Sequence, residues 1–422
     1  MQRTAGSAPA RPRSRQALHV VVLGSYTRFP HGMATASRVR LVSRALVEAG
    51  DEVLVLCLQA SERPPCIENT RLRGIHQGVA FEYTTWTTVR HDSFSMRRLI
   101  AAWGWAHGAW RLASLRYQGR LDLAYVWPDL GPSMRQVFGV GLLRLLGVPV
   151  VGELNERPWS LSHPRALGRF WSPLTGMSGV VSISGMLSAW ARAEARRRHR
   201  DVEVIEVPIL VDVEEQPVRE YPVDDPPVVM FAGSPEYDET IKFILESMKQ
   251  VWQKVPECRL VVTGANRGDP AARWLFLDEH RDPRVHVVGY VSRTELLELY
   301  GDARALLIPL FDDVRSTARF PTKIGEYLAS GRPVVTTAVG EIPRYFHDGV
   351  DAVICPAGDP AAYADRIVAV LNDPGVAASI GRESRRLAAS RFHYALYSET
   401  LHRGFASVAS RTLSSDRTHG RA

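Results

Sequence analysis

The stretch LHVVVLGS, Leu18–Ser25, decides the fold class of this 422-residue chain. Its mainly apolar run is typical of a parallel-sheet strand that is covered on both faces. After a polar, glycine-containing turn, TASRVRLVSRALVEAG places Val39, Val42 and Leu46 on one face of a helix that ends at Gly50. The segment EVLVLCL then returns as a second strand. This alternation predicts the first strand–helix–strand unit of a parallel sheet.

The same alternation recurs on both sides of a segment that lacks it. Between Val207 and Pro227 the sequence is rich in proline and acidic residues, which indicates a boundary between two folded units. We therefore predict an α/β protein with two doubly wound, Rossmann-like domains facing a central cleft, where ligands bind beyond the carboxyl ends of the strands. The predicted divisions are a disordered basic tail (1–16), an N-terminal domain (17–207), a linker (208–227), a C-terminal domain (228–395), a C-terminal helix (396–412) that is a candidate to pack back on the N-terminal domain, and a disordered tail (413–422).

The composition restricts the class of protein. Four cysteines (Cys57, Cys66, Cys258 and Cys355) form no C-x-x-C pair, which argues against a disulfide framework or a structural zinc and favours a reducing cytoplasm. No stretch reaches the roughly 20 apolar residues of a spanning helix, so any membrane contact is expected to be peripheral. A net charge of +7 permits attraction to phosphates of nucleotides, nucleic acid or lipid headgroups, and charge alone does not choose among them.

The stretch ARFPTKIGEYLASGRPVV contains the most specific chemistry. A helix from about Thr322 to Ser330, ended by Gly331, would direct its N-terminus and the cations Arg319 and Lys323 at a diphosphate. Glu326, one turn further, would accept hydrogen bonds from sugar hydroxyls. The alternative is an exposed Lys323–Glu326 pair, worth only about 0.3–0.5 kcal/mol. The residues alone leave both interpretations open.

The first turn of the chain, SYTRFPHGMATAS, also precedes a helix N-terminus. Gly32 would let the backbone approach a phosphate closely, although an ordinary strand-to-helix turn is an open alternative. Because the turn lacks both G-x-G-x-x-G and G-x-x-x-x-G-K-[ST], a dinucleotide-dependent dehydrogenase or a P-loop enzyme is disfavoured.

A family resemblance joins these features. FPTKIGEYLASGRPVV, with TTAVGEIPRYFHDGVDAVICPAGDP after it, resembles the donor-binding region of glycosyltransferase family 4, the group 1 glycosyltransferases, which are retaining nucleotide-sugar transferases with the GT-B fold. PHGMATASRVR resembles the family's glycine loop, and GELNERPW its acceptor-side segment. The resemblance implies an acceptor-side N-terminal domain and a C-terminal domain that binds a nucleotide-sugar donor. It implies no cofactor, no metal and no nucleic acid.

The resemblance also assigns roles at the donor site. Glu326 matches the second glutamate of the family's paired-glutamate motif, which hydrogen-bonds the donor's ribose. The first glutamate, which touches the donor sugar, is replaced by Ala318. The sugar and phosphate pocket is expected to be lined by the backbone of Arg319, Phe320, Pro321 and Thr322.

A second departure concerns the cations that hold the diphosphate. Where the family usually offers an arginine after the glycine and a lysine a few residues on, this chain has Ser234 after Gly233, and then Glu239. Arg319 and Lys323 are expected to replace those cations and, with Glu326, to act in catalysis. The remaining assignments are Tyr290 and Val291 at the base, and Glu153, Asn155 and Glu156 on the acceptor side, with either glutamate a candidate general base.

The predicted function is transfer of a sugar from a nucleoside diphosphate sugar to a glycan or lipid-linked acceptor, with retention, in cell-envelope or extracellular polysaccharide synthesis. The alternatives are a sugar-nucleotide epimerase and a non-catalytic nucleotide-sugar-binding protein. The segment from Arg97 to Arg120 mixes tryptophans with arginines, so an anionic membrane surface at the inner face of the membrane is a candidate partner, with core packing of the tryptophans as the alternative.

Overall fold

A computed structural model describes residues 16–24, 28–32, 34–64, 67–127, 134–156, 172–223, 226–234, 237–264, 270–276 and 282–419. Nearly all of the expected tail 1–16 lies outside these residues. The strands are β1 (His19–Gly24), β2 (Glu52–Cys57), β3 (Arg73–His76), β4 (Val79–Tyr83), β5 (Leu123–Val126), β6 (Val150–Leu154), β7 (Gly179–Ser182), β8 (Glu203–Glu206), β9 (Val228–Ala232), β10 (Arg259–Thr263), β11 (Val285–Val288), β12 (Ala305–Ile308), β13 (Val334–Thr337) and β14 (Val353–Cys355).

The described α-helices cover both halves of the chain. They are α1 (Ala34–Glu48), α2 (Phe94–Tyr117), α3 (Met134–Leu145), α4 (Gly185–Arg197), α5 (Asp238–Lys254), α6 (Arg293–Asp302), α7 (Val314–Ala318), α8 (Lys323–Ala329), α9 (Ile342–Tyr345), α10 (Pro360–Asn372), α11 (Pro374–Leu387) and α12 (Ser398–His419). The helix predicted from Thr322 to Ser330 is confirmed, since these two residues flank α8 and Gly331 follows with a φ of +70°.

The first sheet has the strand order β3-β4-β2-β1-β5-β6-β7-β8, and all neighbours are parallel except the pair β3–β4. In β1, Val20 and Val22 pack in the cluster that contains residues of α1 and α12, while Val21 and Leu23 pack in the cluster of α2 and α3. The apolar run that opened the sequence is therefore a central strand covered on both faces, as predicted.

The second sheet has the order β11-β10-β9-β12-β13-β14 and is entirely parallel. One face packs on α5 and α10, and the other packs in a cluster that includes α6 and α8. Because the strand order reverses between β9 and β12, a crevice opens beyond their carboxyl ends. The predicted class, two doubly wound α/β domains, is confirmed.

The two sheets are joined by two crossing segments that pair with each other. Val211 bridges His393, and Arg385 donates to the carbonyl oxygens of Val213 and Gln216 at 2.9 and 3.0 Å. The buried Arg38 of α1 donates to the carbonyl oxygen of Val207 at 2.8 Å. The first part of the predicted linker, 208–216, is thus packed against both domains.

The C-terminal helix returns to the first sheet. Leu401 and Phe405 of α12 are fully buried in the cluster that holds Val20, and the Phe405 ring lies 5.6 Å from that of Tyr125. The prediction of a disordered tail at 413–422 is wrong for residues 413–419, because α12 continues to His419. Residues 420–422 lie outside the described residues.

Candidate active site

A cleft of about 2770 Å³ lies between the carboxyl ends of the two sheets. Segments that follow strands of both sheets line it, which is where ligands of doubly wound folds bind. The predicted site residues that line the cleft are Gly32, Asn155, Glu156, Gly233, Ser234, Tyr290, Val291, Arg319, Phe320, Pro321, Thr322, Lys323 and Glu326.

The loop between α7 and α8 forms one wall of the cleft and is fixed from behind. Ala318, at the end of α7, is fully buried, and its carbonyl oxygen accepts a hydrogen bond of 2.5 Å from the hydroxyl of Ser184 in the other domain. Phe320 is also buried and stacks on Tyr345 at 5.5 Å between ring centroids. The Ala318 carbonyl and the Phe320 ring therefore hold this loop in place beside the cleft.

Three cations converge on the ring of Tyr237, the residue that precedes α5. Arg315, Arg319 and Lys323 lie 5.5, 5.0 and 6.0 Å from the ring centroid. Within the described residues, neither the Arg319 nor the Lys323 side chain has a hydrogen-bond or ion-pair partner, and the Nε atom of Arg319 is buried without one. An aromatic face attracts cations without neutralising them. These charges therefore remain available to an anionic ligand at the cleft.

The environment of Lys323 also changes its protonation. Burial, opposed by the Glu326 carboxylate and assisted by the charge of Arg319, lowers the pKa of Lys323 to about 8. An anion bound between these cations would reverse that shift, since a nearby opposite charge favours the charged form.

Glu326 takes part in a chain of alternating charges. Its carboxylate accepts from Arg293 at 2.6 Å and from the Tyr300 hydroxyl at 3.3 Å, and Arg293 also contacts Glu215 at 3.1 Å. Glu215 in turn pairs with Arg40 of α1, so the chain spans both domains. No ion pair joins Lys323 to Glu326 in the described part of the chain, and only 13% of the Glu326 side chain is exposed. The exposed-pair interpretation is therefore wrong.

Strong pairing shifts the titration of this chain of charges. Although burial acts against it, the hydrogen bond and charge of Arg40, with the charge of Arg293, lower the pKa of Glu215 to about 2. The carboxylates raise the pKa of Arg293 against the effect of burial. Glu215 and Arg293 are therefore both charged at neutral pH.

Two glycines let the cleft floor come close to a ligand. A Cβ atom on Gly233 would lie 2.4 Å from the Phe231 ring, and one on Gly32 would lie 2.8 Å from the carbonyl oxygen of Arg28. Both positions require glycine for packing. Their main chains border the cleft, as expected for turns that approach a phosphate.

Of the three residues predicted on the acceptor side, two line the cleft and one does not. Asn155 and Glu156 line the cleft, and burial raises the pKa of Glu156 against the opposing charges of Arg319 and Arg315. Glu153 lies inside β6, where it is 2% exposed, accepts from Arg38 at 3.2 Å and hydrogen-bonds the Tyr125 hydroxyl. Its assignment to the acceptor side is corrected, because a buried ion pair keeps it in the domain core.

The carboxylates that the described residues contain form no metal centre. No cluster of three or more histidine, cysteine, aspartate or glutamate residues suited to a metal occurs among them. Asp313, next to Asp312, accepts from the backbone N–H of Ser316 at 2.7 Å and so caps α7.

Sequence reasoning missed Arg293, Tyr237 and Glu215. Arg293 had a local signal, since a cation in the first turn of a helix opposes the macrodipole and needs another reason to be there. Tyr237 and Glu215 had none, because their partners lie far away in the sequence.

Comparison with known proteins tests the family resemblance. Residues 226–373 match the family model described as glycosyl transferases group 1. The alpha-D-kanosaminyltransferase of Streptomyces kanamyceticus is 21% identical over 314 residues, which are 70% of this chain and 80% of that protein. The resemblance to the group 1 glycosyltransferases is confirmed for the C-terminal domain, in which the match to the family model lies.

Solved structures share the fold of this glycosyltransferase. Sucrose-phosphate synthase from Thermosynechococcus elongatus superposes with a TM-score of 0.65 at 14% identity, covering 95% of this chain and 100% of that one. The Anabaena protein HepE, solved in complex with UDP-glucose, gives a TM-score of 0.61 at 14% identity, covering 92% and 99%. The fold is GT-B, as the resemblance implied.

Within the part of the chain that the structure describes, no helix is both long enough and apolar enough to cross a bilayer.

Proposed function

We propose that this glycosyltransferase moves a sugar from a nucleoside diphosphate sugar to a glycan or lipid-linked acceptor, with retention and without a metal. The observation that carries the proposal is the set of cations around Tyr237. Arg319 and Lys323 border the cleft without a carboxylate partner among the described residues, at the place where the usual family cations are replaced by Ser234 and Glu239.

These cations suit the hardest step of the reaction. When the bond between sugar and diphosphate breaks, negative charge accumulates on the leaving diphosphate. Charged donors that are already positioned stabilise that charge without reorganising, and such a contribution is often the largest in catalysis. Arg319 and Lys323 take this role, so the enzyme does not require a metal for it.

Glu326 and its partners suit the ribose. The carboxylate is held by Arg293 and Tyr300, which fixes its orientation before the donor arrives. A carboxylate oxygen accepts charge-assisted hydrogen bonds from ribose hydroxyls. Tyr290 and Val291, on the same side of the cleft, border the base.

The acceptor occupies the half of the cleft formed by the first sheet. Glu156 is the acceptor-side carboxylate there, and its raised pKa brings it closer to the working range of a general base. Transfer to a lipid-linked acceptor places the enzyme in cell-envelope or extracellular polysaccharide synthesis, at the inner face of the membrane.

The outer face of α2 and α3 supports peripheral contact with that membrane. Trp103 and Trp110 of α2 are 53% and 63% exposed, and Leu145 of α3 is 84% exposed. Neither helix contains an aspartate or glutamate. Exposed aromatic rings beside arginines are typical of surfaces that lie in a membrane interface.

The test is incubation with a panel of nucleotide sugars, with and without cell-envelope extract, while release of nucleoside diphosphate is measured. The transferase releases diphosphate faster when the extract supplies an acceptor. An epimerase changes the donor without an acceptor, and a binding protein binds the nucleotide without turnover. The buried Ala318 makes the last outcome a specific alternative, because the family's sugar-contacting carboxylate is absent.

A further inference from the structure

The acceptor half of the cleft carries four arginines that the donor site does not use. Arg63, Arg90, Arg97 and Arg98 line this half. The bridge between Glu62 and Val89, with the hydrogen bond of 2.8 Å from the Arg90 N–H to the Glu62 carbonyl oxygen, brings the backbones of Arg63 and Arg90 together. Arg97 donates to the carbonyl oxygens of His91 and Asp92 at 3.3 and 2.6 Å, which places the first turn of α2 beside Arg90.

These arginines have no carboxylate partner in the part of the chain that the structure describes. Within the described residues, Arg63, Arg90 and Arg98 have no side-chain hydrogen bond or ion pair, and Arg97 donates to carbonyl oxygens alone. The neighbouring carboxylates, Glu62 and Glu68, are both within ion-pair distance of Arg28. Over the whole cleft, nine arginines and lysines face four glutamates among the described lining residues.

Helix stability does not account for this arrangement. Arg97 lies in the first turn of α2 and Arg98 directly after it, near the end of the helix where the macrodipole disfavours cations, and that turn contains no acidic residue. Crowding four like charges on one wall adds further repulsion. A ligand that carries negative charge would offset both costs.

The wall continues from these arginines into apolar surface. Phe94, which is 61% exposed, lies under Arg98 at 4.8 Å from guanidinium carbon to ring centroid. Trp105 and the exposed Phe138 follow on the same wall, and Trp105 packs against Gly139 of α3. A ligand that matches both the arginines and the apolar surface has a phosphate at one end and an apolar chain at the other.

We propose that Arg63, Arg90, Arg97 and Arg98 bind the phosphate or diphosphate of an acceptor whose apolar chain lies along Phe94, Trp105 and Phe138. This inference rests on the proposed function and names the acceptor class, a lipid joined to its glycan through phosphate. The arginines bind and orient the acceptor and take no part in bond breaking.

The experiment uses the full chain with its donor site filled by the nucleoside diphosphate found with the donor panel. Geranyl diphosphate, geraniol and inorganic diphosphate are then titrated by calorimetry. Geranyl diphosphate is expected to bind at least tenfold more tightly than either part. The double variant Arg90→Gln, Arg98→Gln is expected to weaken it at least tenfold, and Phe138→Ser to weaken geranyl diphosphate but not inorganic diphosphate.

Matched controls separate the outcomes. Arg382→Gln with Arg386→Gln removes two exposed arginines of α11 outside the cleft and is expected to bind like the wild type. Failure of the wild type to bind any nucleoside diphosphate would overturn the proposed function and this inference with it. If the nucleotide binds, then equal binding of geranyl diphosphate by wild type and double variant, or no binding by either, overturns the inference alone. Displacement of geranyl diphosphate by phosphatidylglycerol vesicles would overturn it too, by assigning the site to bulk lipid.

Discussion

Arg293 Nη1 lies 2.6 Å from Glu326 Oε1, at the place in the cleft where the family resemblance puts the donor's ribose. Arg293 also contacts Glu215 of the crossing segment, which pairs with Arg40 of the N-terminal domain. The carboxylate expected to hold the ribose is thus connected to the other domain by consecutive ion pairs. Donor binding and the relative position of the domains are therefore expected to influence each other.

Replacing Arg293 tests this connection. Arg293→Leu leaves Glu326 and Glu215 partly buried without their shared cation, and an uncompensated buried group costs about 1–3 kcal/mol or more. The donor KM is expected to rise roughly 10- to 100-fold, with a smaller change in kcat, because the sugar–diphosphate bond is distant from this pair. Steady-state kinetics measure both constants. Partial rescue of the donor KM by Arg293→Lys, with an unchanged melting temperature, would show that Arg293 positions Glu326 and that the loss in Arg293→Leu is not a folding defect. A wild-type KM in Arg293→Leu would contradict the connection.

Lys323→Ala addresses the leaving group. If Lys323 stabilises the departing diphosphate, its loss affects the transition state more than the bound donor. Turnover is expected to fall roughly 100-fold or more, as for other single preorganised donors, while donor affinity changes less. Rapid-quench kinetics with a parallel binding titration measure the two effects. Tyr237→Phe keeps the ring that holds the cations and is the matched control, expected to stay near wild type. A Lys323→Ala enzyme with full turnover would remove Lys323 from the mechanism.

The sequence was sufficient where local pattern determines the outcome. The apolar run Val20–Leu23 required a strand covered on both faces, and Gly331 required a helix end; both occur. It failed at Glu153, because the partner that buries this carboxylate, Arg38, lies 115 positions away. Arg293 was overlooked for the same reason: a periodic pattern gives its helix but not the carboxylates brought to it from α8 and the crossing segment.

Glu326→Gln is expected to weaken donor binding more than it lowers kcat. The amide keeps one acceptor oxygen but loses the charge that strengthens hydrogen bonds to ribose hydroxyls and to Arg293. Donor affinity is expected to fall roughly tenfold, with a smaller loss of kcat. Titration with the nucleoside diphosphate measures this directly, and Glu295→Gln on the surface of α6 is the control for charge loss. Unchanged affinity in Glu326→Gln would mean that the ribose lies elsewhere.

Membrane contact through α2 and α3 predicts sedimentation with vesicles that contain anionic lipid. Each basic residue near such a surface contributes about 1 kcal/mol, and salt screens this attraction. The pelleted fraction is expected to be high at low salt and to drop at high salt. Trp103→Ser with Trp110→Ser should reduce it, whereas Val376→Ser, at a 53% exposed position on α11, should not. Equal recovery in the supernatant under all conditions would exclude this surface.

The pKa of Lys323 predicts how donor binding depends on pH. With a folded-state pKa of about 8, Lys323 loses its charge as the pH rises through 8. A diphosphate favours the charged form, so binding at pH 9 must take up a proton and donor affinity should fall by up to about tenfold per pH unit above 8. Calorimetry in two buffers of different ionisation enthalpy counts that proton.

The free energy of unfolding should rise over the pH range in which donor affinity falls. Between pH 8 and about 10.5 the unfolded chain holds the Lys323 proton that the folded protein has lost, so this group makes the free energy of unfolding rise with pH. Lys323→Arg keeps its charge throughout this range. In this variant both effects should vanish, with no proton uptake at pH 9 and no rise in the free energy of unfolding from this position. Proton uptake equal to that of the wild type would show that another group titrates, and that the diphosphate does not lie against Lys323.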